Sequence, residues 1–84
     1  MSQLEKLRGR LKGIPVDFRW DELVVVLRGF GFEEESGKGS SHRRFRNPKT
    51  SEVIMLPRPH GTDLHVRRHY LREIVKKLHL EEGQ

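Results

Sequence analysis

The hydrophobic residues at the start of the chain follow the spacing of an amphipathic helix. Leu4, Leu7 and Leu11 recur at i, i+3 and i+7, which places them on one face. This pattern predicts a first helix over residues 2–12, which ends before Pro15. A basic amphipathic helix can bind a membrane surface or a groove, but three turns with a leucine stripe favour packing on the same domain.

A second helical pattern covers residues 18–29, with Asp17 as its expected N-cap and Gly29 and Gly31 at positions that suit a left-handed C-terminal cap. Trp20 is expected in the core rather than as a platform for a stacked base, because it belongs to the apolar stripe. That stripe repeats at i, i+3, i+4 and i+7 and comprises Trp20, Leu23, Val24 and Leu27.

Three short strands are predicted to follow, over Phe32–Ser36, His42–Asn47 and Glu52–Leu56. Asn47 and Pro48 occupy the first two positions of a turn, where these residue types are favoured. Because the connections between the strands are short, we expect an antiparallel meander.

A last amphipathic pattern predicts a helix over residues 66–79, with core positions Leu71, Ile74, Val75 and Leu78. The expected order is therefore α-α-β-β-β-α. This order predicts an α+β fold in which helices cover one face of a three-stranded antiparallel sheet.

Composition limits the choice of function. The 84 residues allow one small domain, and 17 Lys and Arg against 12 Asp and Glu give a net charge of +5 at pH 7, which predicts an anionic partner. The chain has no cysteine, which excludes disulfides and thiolate metal sites. No apolar run of about 18 residues and no signal-peptide pattern is present, so we expect no membrane partner and a cytoplasmic location.

One segment combines a proton-transfer group with phosphate-binding groups. Residues 39–46 place His42 between a Gly/Ser stretch and an arginine-rich strand. Histidine exchanges protons near neutral pH, and clustered arginines bind phosphate. No acidic residue occurs over 36–51, whereas five basic ones do: Lys38, Arg43, Arg44, Arg46 and Lys49. The segment therefore favours cleavage of an RNA backbone.

Strand alternation divides this segment between two faces. If Phe45 points into the core, Arg43 shares its face, and His42, Arg44 and Arg46 point together to the open face. Ion pairs across the strands with Glu33 or Glu35 are a structural explanation for the arginines. They do not explain the histidine.

The chain resembles the HicA family of small toxins from toxin–antitoxin systems. The resemblance covers about residues 18–79 and rests on an ordered set of short motifs: Gly31-Phe32, Gly39-Ser40-Ser41-His42 leading to Phe45, Asn47-Pro48, an apolar strand ending near Pro57, His60, and the final helix. Two features depart from the compact family pattern, namely the extra Ser41 and the first 17 residues. We therefore expect one domain over residues 1–84, made of an N-terminal helical extension (1–17) and a family core (18–79).

The resemblance implies a double-stranded-RNA-binding-domain-like fold and an endoribonuclease that cleaves mRNA. It maps the family's catalytic histidine onto His42 and implies a HicB-type antitoxin as the inhibiting partner. RNA supplies its own nucleophile, the 2′-hydroxyl, so we expect no metal and no cofactor. His42 would act as general base or general acid, while Arg44 and Arg46, with Arg43 as a further candidate, would neutralise charge on the phosphate.

Other basic residues are weaker candidates for the same chemistry. His60 is a second candidate for proton transfer if its loop folds towards His42, and otherwise is a surface turn residue. Arg67 and Arg68 are candidates for phosphate contacts near the start of the last helix, with simple solvation of both side chains as the alternative. His65 and His69 are four residues apart, which is a metal-ligand spacing on a helix, but no acid completes the motif and we expect no metal there.

Two further functions remain open from the sequence. One is an RNA-binding module of the same fold that does not cut. The other is a basic domain that binds an acidic protein. The hydrophobic content of 33% gives no indication of a homo-oligomer.

Overall fold

A computed structural model describes residues 3–35, 42–59 and 64–80 of the chain, and these form an α+β fold. The predicted order of elements is confirmed, with boundaries that differ from the predicted ones by a few residues at most. The elements are α1 (Gln3–Lys12), α2 (Trp20–Gly29), β1 (Glu33–Glu35), β2 (His42–Arg46), β3 (Val53–Pro57) and α3 (Arg68–Lys77).

The strands form an antiparallel sheet in the order β1-β2-β3, as the short connections predict. In the register of this sheet, Phe45 lies opposite Glu34 on one side and Ile54 on the other. Because paired residues point to the same face of a sheet, this register puts Phe45 and Ile54 on one face. Both are buried.

The hydrophobic core lies between that face of the sheet and the three helices. The Trp20 ring packs against the Phe45 ring, with 5.8 Å between their centroids, so the expectation that Trp20 is a core residue is confirmed. The predicted stripe of α3 is buried as well. On α2, Val26 is buried and Val24 is only half-buried, so the buried stripe is rotated slightly from the predicted one.

The chain segments that lead into α2 and α3 pair with each other and fix where the two helices begin. The Trp20 backbone N–H donates to the Leu64 carbonyl at 2.8 Å, and the Val66 N–H donates to the Phe18 carbonyl at 2.8 Å. Arg19 and His65 form the bridge between these bonds. Backbone in this extended pairing cannot be helical, so both helices start later than the hydrophobic pattern predicts.

The expected N-cap of α2 is therefore wrong. Arg19, with extended backbone, occupies that position instead of Asp17, and its N–H donates to the Glu22 carboxylate at 2.9 Å. Asp17 accepts a hydrogen bond from Arg10 of α1 at 3.0 Å. Similarly, α3 begins at Arg68 rather than at residue 66, with Arg67 as its N-cap.

The N-terminal extension packs on the domain. Leu7 and Leu11 are buried in the same core as the sheet, and Leu4 lies against Gly29 of α2. A Cβ at Gly29 would lie 2.5 Å from a terminal methyl group of Leu4, so a larger residue there would force the Leu4 side chain to shift. Arg10 adds ion pairs to Asp17 and Glu22. The expected leucine face is thus confirmed, and it is directed inwards.

None of the helices in the described part of the chain has the length and apolar composition needed to span a bilayer.

Candidate active site

His42 is the first residue of β2 and is exposed on the face of the sheet opposite the helices. Arg44 and Arg46 follow at alternate positions and are also exposed, as the strand pattern predicts. The structure thus brings three of the predicted site residues onto one open face. The Gly/Ser stretch before His42 lies outside the described residues, and so do the predicted site residues Lys38 and His60.

The acidic strand β1 reduces the positive charge of this open face. The Arg44 guanidinium lies 3.3 Å from the Glu35 carboxylate, which is its partner in the ladder. Arg46 lies opposite Glu33 but, among the described residues, forms no ion pair. Two arginines and two glutamates cancel in formal charge, so the face is less basic than the arginine-rich segment alone indicates. Arg46 is the arginine of this face that is most available to a phosphate.

Arg43 is directed to the other side of the sheet. It shares the face of Phe45 at the margin of the core, where it is half-buried and its Nε lies 3.7 Å from the Glu34 carboxylate. The structure therefore separates Arg43 from His42, and a phosphate bound beside His42 would not meet both side chains.

Met55 is an exposed apolar residue on the open face that is not among the site residues predicted from the sequence. It is 61% exposed and is the partner of Arg44 in the register between β2 and β3. The signal was present in the sequence, since pairing Phe45 with Ile54 in the core directs Met55 outwards. A methionine between basic residues gives this face one apolar surface that a nucleobase or a partner protein can contact.

A second basic surface lies beyond the end of β3. A cleft of about 700 Å³ separates the end of β3 from the start of α3 and from the loop that follows α1. Arg67 and Arg68, both predicted to contact phosphate, line it, and Arg58 joins them. The Arg68 Nε donates to the Ile14 carbonyl at 2.8 Å, so one donor of its guanidinium is used to join α3 to the loop after α1. Arg58 is not predicted by the sequence as a site residue, because only the folded chain brings it to the same cleft as Arg67.

His65 and His69 do not share a helix. His65 belongs to the extended pairing with Arg19, whereas His69 lies in the first turn of α3 with its ring 4.0 Å from that of Tyr70. The helical spacing that would let them hold a metal together is therefore absent. In the described segments, no group of three or more histidine or acidic side chains could hold a metal ion.

Comparison with known proteins identifies the family. A model for the HicA toxin of bacterial toxin–antitoxin systems matches residues 20–80, which include every element except α1. No curated protein and no solved structure matches the chain. Because the match spans most of the chain and contains the α-β-β-β-α core, the protein belongs to the HicA family of toxins from toxin–antitoxin systems.

Proposed function

We propose that this protein is an endoribonuclease that cleaves mRNA with His42 as its catalytic residue. The observation that carries the proposal is the position of His42 at the start of β2, exposed beside Arg44 and Arg46 on the open face of the sheet. Membership in a toxin family supports a damaging activity, and the basic composition supports an anionic substrate.

The proposed reaction uses the 2′-hydroxyl of RNA as nucleophile. Its oxygen attacks the adjacent phosphorus while the bond to the 5′-oxygen breaks, so the products carry a 2′,3′-cyclic phosphate and a 5′-hydroxyl. His42 either accepts the proton of the 2′-hydroxyl or donates a proton to the leaving 5′-oxygen. No bond to an enzyme atom forms in this step.

The arginines of the open face would stabilise the charge that builds on the phosphate. Arg46 can do so directly, because it forms no ion pair with a described residue. Arg44 would exchange the Glu35 carboxylate for a phosphate oxygen, and the exposure of that pair, 54% and 46% for the two side chains, keeps the exchange inexpensive.

Incubation of the purified protein with a defined RNA in EDTA tests this chemistry. We expect cleavage that chelation leaves unchanged, with 2′,3′-cyclic phosphate and 5′-hydroxyl ends. The matched control is the same sequence made of DNA, which lacks the nucleophile and should remain intact. Cleavage of the DNA would contradict the proposal, and RNA that is bound but fully recovered would identify a binding module instead.

We also propose that a HicB-type antitoxin inhibits the protein by covering the open face of the sheet. Acidic groups of the antitoxin would meet Arg46, and bulkier ones would cover His42 and Met55, since these residues are exposed together.

Chemical modification of histidines by diethyl pyrocarbonate measures this cover. In the inhibited complex we expect His42 to be protected, whereas His79, which is exposed beyond the end of α3, stays reactive and is the internal control. Full modification of His42 in a complex that no longer cleaves RNA would show that the antitoxin acts elsewhere.

A further inference from the structure

The cleft beside α3 combines apolar walls with arginines that form no ion pair to any described residue. Val16, in the loop after α1, is 71% exposed and forms one wall. Tyr70, Pro57 and Pro59 supply other apolar surfaces, and each is half-buried. Arg58 joins them at the end of β3 and is exposed. None of the described residues that line the cleft is acidic.

The cleft adjoins the proposed catalytic face through Pro57. In the register of the sheet, Pro57 is the partner of His42, and partners in an antiparallel ladder have Cα atoms about 5 Å apart. The same Pro57 lines the cleft. An RNA strand with one phosphate bound at His42 therefore has a direct path into the cleft.

We propose that this cleft binds a single-stranded stretch of the RNA next to the phosphate that is cleaved. A base would pack against Val16 and Tyr70, and Arg58 and Arg67 would bind the neighbouring phosphate. The inference rests on the proposed function for the identity of the substrate, but it concerns a different surface and a binding step.

Charge favours the cleft as the main anchor for the RNA. On the open face of the sheet, Glu35 pairs with Arg44 and Glu33 lies opposite Arg46 in the register, so the formal charges of these four residues sum to zero. In the described part of the chain, Arg58 and Arg67 pair with no carboxylate. Positive groups without counter-charges attract a phosphate backbone more strongly than paired ones do.

The apolar walls favour a single strand over a duplex. In a duplex the faces of the bases are stacked on one another, whereas a single strand can place a base against an aromatic ring. The volume of about 700 Å³ is within the range of sites that enclose a small molecule, and so suits one or two nucleotides.

The N-terminal extension shapes this site, although it lies outside the residues that match the family model. Val16 is held in place on both sides. Before it, the Ile14 carbonyl accepts from Arg68, and after it Phe18 is paired with Val66. The extension thus has a role in substrate binding as well as in the core.

Binding of a single-stranded 2′-O-methyl RNA, measured by fluorescence anisotropy, tests the cleft without any cleavage. We expect Val16→Glu to weaken binding at least about fivefold, since it removes an apolar wall and repels phosphate. Arg58→Ala should weaken binding and lower the slope of log K against log salt by about 0.7, the value for one phosphate contact on a single strand.

Matched controls carry the same changes elsewhere on the surface. Val25→Glu on α2 introduces the same charge at a site that is 39% exposed, and Arg72→Ala removes an exposed arginine of α3 that does not line the cleft. Both controls should bind within about twofold of the wild type. Because Val16 and Arg58 are exposed, thermal unfolding should be unchanged in both cleft variants.

Two results would overturn the inference. One is that the cleft variants bind the single strand as their controls do. The other is that Val16→Glu weakens the binding of a 2′-O-methyl duplex by the same factor as the binding of the single strand. If the wild type does not cut RNA but the cleft variants lose affinity as expected, only the catalytic proposal is contradicted. If the wild type cuts RNA but the cleft variants keep their affinity, only the cleft proposal is contradicted.

Discussion

At the scale of single residues, Asn47 fixes the end of the strand that carries the site. Its side chain is buried, and its Oδ1 accepts from the backbone N–H groups of Lys49 and Thr50 at 2.9 and 3.3 Å. Its Nδ2 donates to the Phe30 carbonyl at 3.3 Å. One side chain thus closes the β2–β3 turn and ties it to the end of α2.

Gly31 completes this junction. It has a φ of +93°, and a Cβ there would lie 3.4 Å from the Asn47 amide. That distance is an ordinary van der Waals contact, so it is the left-handed backbone that favours glycine here. The junction holds the register of β2, and a slip by one residue would turn His42 towards the helices.

Asn47→Ala should lower the free energy of unfolding by about 1–3 kcal/mol, because three partly buried hydrogen bonds of the amide are lost. Urea unfolding measures the change. Lys49→Ala, in the same turn but exposed, is the control and should stay within about 0.5 kcal/mol of the wild type. An equal, small effect of the two substitutions would show that the turn forms without the Asn47 side chain.

Alternation along β2 predicted the directions of individual side chains correctly, since Phe45 is the one large apolar residue of that strand. The ion pairs were less predictable. The sequence suggests Glu33 or Glu35 as partners of the arginines, and the register selects Glu35 for Arg44 and leaves Arg46 unpaired among the described residues. That choice depends on how the sheet pairs, which no local pattern specifies.

At the scale of elements, α1 stabilises the family core from outside the matched residues. It packs on α2 and α3, and Leu11 is fully buried. Small domains bury a modest core, so each buried leucine carries a large share of the stability.

Leu11→Ala should lower the free energy of unfolding by about 2–5 kcal/mol, enough to unfold much of a domain of this size. Thermal unfolding followed by circular dichroism measures the effect. The control is Lys6→Ala on the exposed side of the same helix, which should unfold at nearly the wild-type temperature. If Leu11→Ala unfolds at the wild-type temperature, α1 is dispensable for the core.

Helical periodicity predicted all three helices and most of their buried positions, but on α2 it selected Val24, whereas Val26 is the buried residue. It did not predict where α2 and α3 begin, because the pairing of Phe18–Trp20 with Leu64–Val66 joins segments that are more than forty residues apart. Asp17 has the right chemistry for a cap, but the helix begins at Trp20, so its N-cap is Arg19.

At the scale of the whole molecule, charge and apolar surface are divided between two adjoining regions. The open face of the sheet carries His42 with balanced formal charges, while the cleft carries arginines that pair with no carboxylate of the described residues, next to apolar walls. The residues proposed for catalysis and the residues proposed to anchor the RNA therefore lie on separate surfaces. The sequence alone could not predict the cleft, since its walls come from three distant segments, around residues 16, 58 and 67.

The central claim, that His42 transfers the proton in RNA cleavage, is tested most directly by the single-turnover cleavage rate of His42→Asn. The amide of asparagine keeps a polar side chain but cannot act as an acid or a base near neutral pH, so we expect the rate to fall about 10²–10⁴-fold. The affinity for 2′-O-methyl RNA should stay near that of the wild type. His79→Asn is the matched control, since His79 is exposed far along the chain and has a φ of +58° that asparagine tolerates. Cleavage by His42→Asn at the rate of this control would contradict the account.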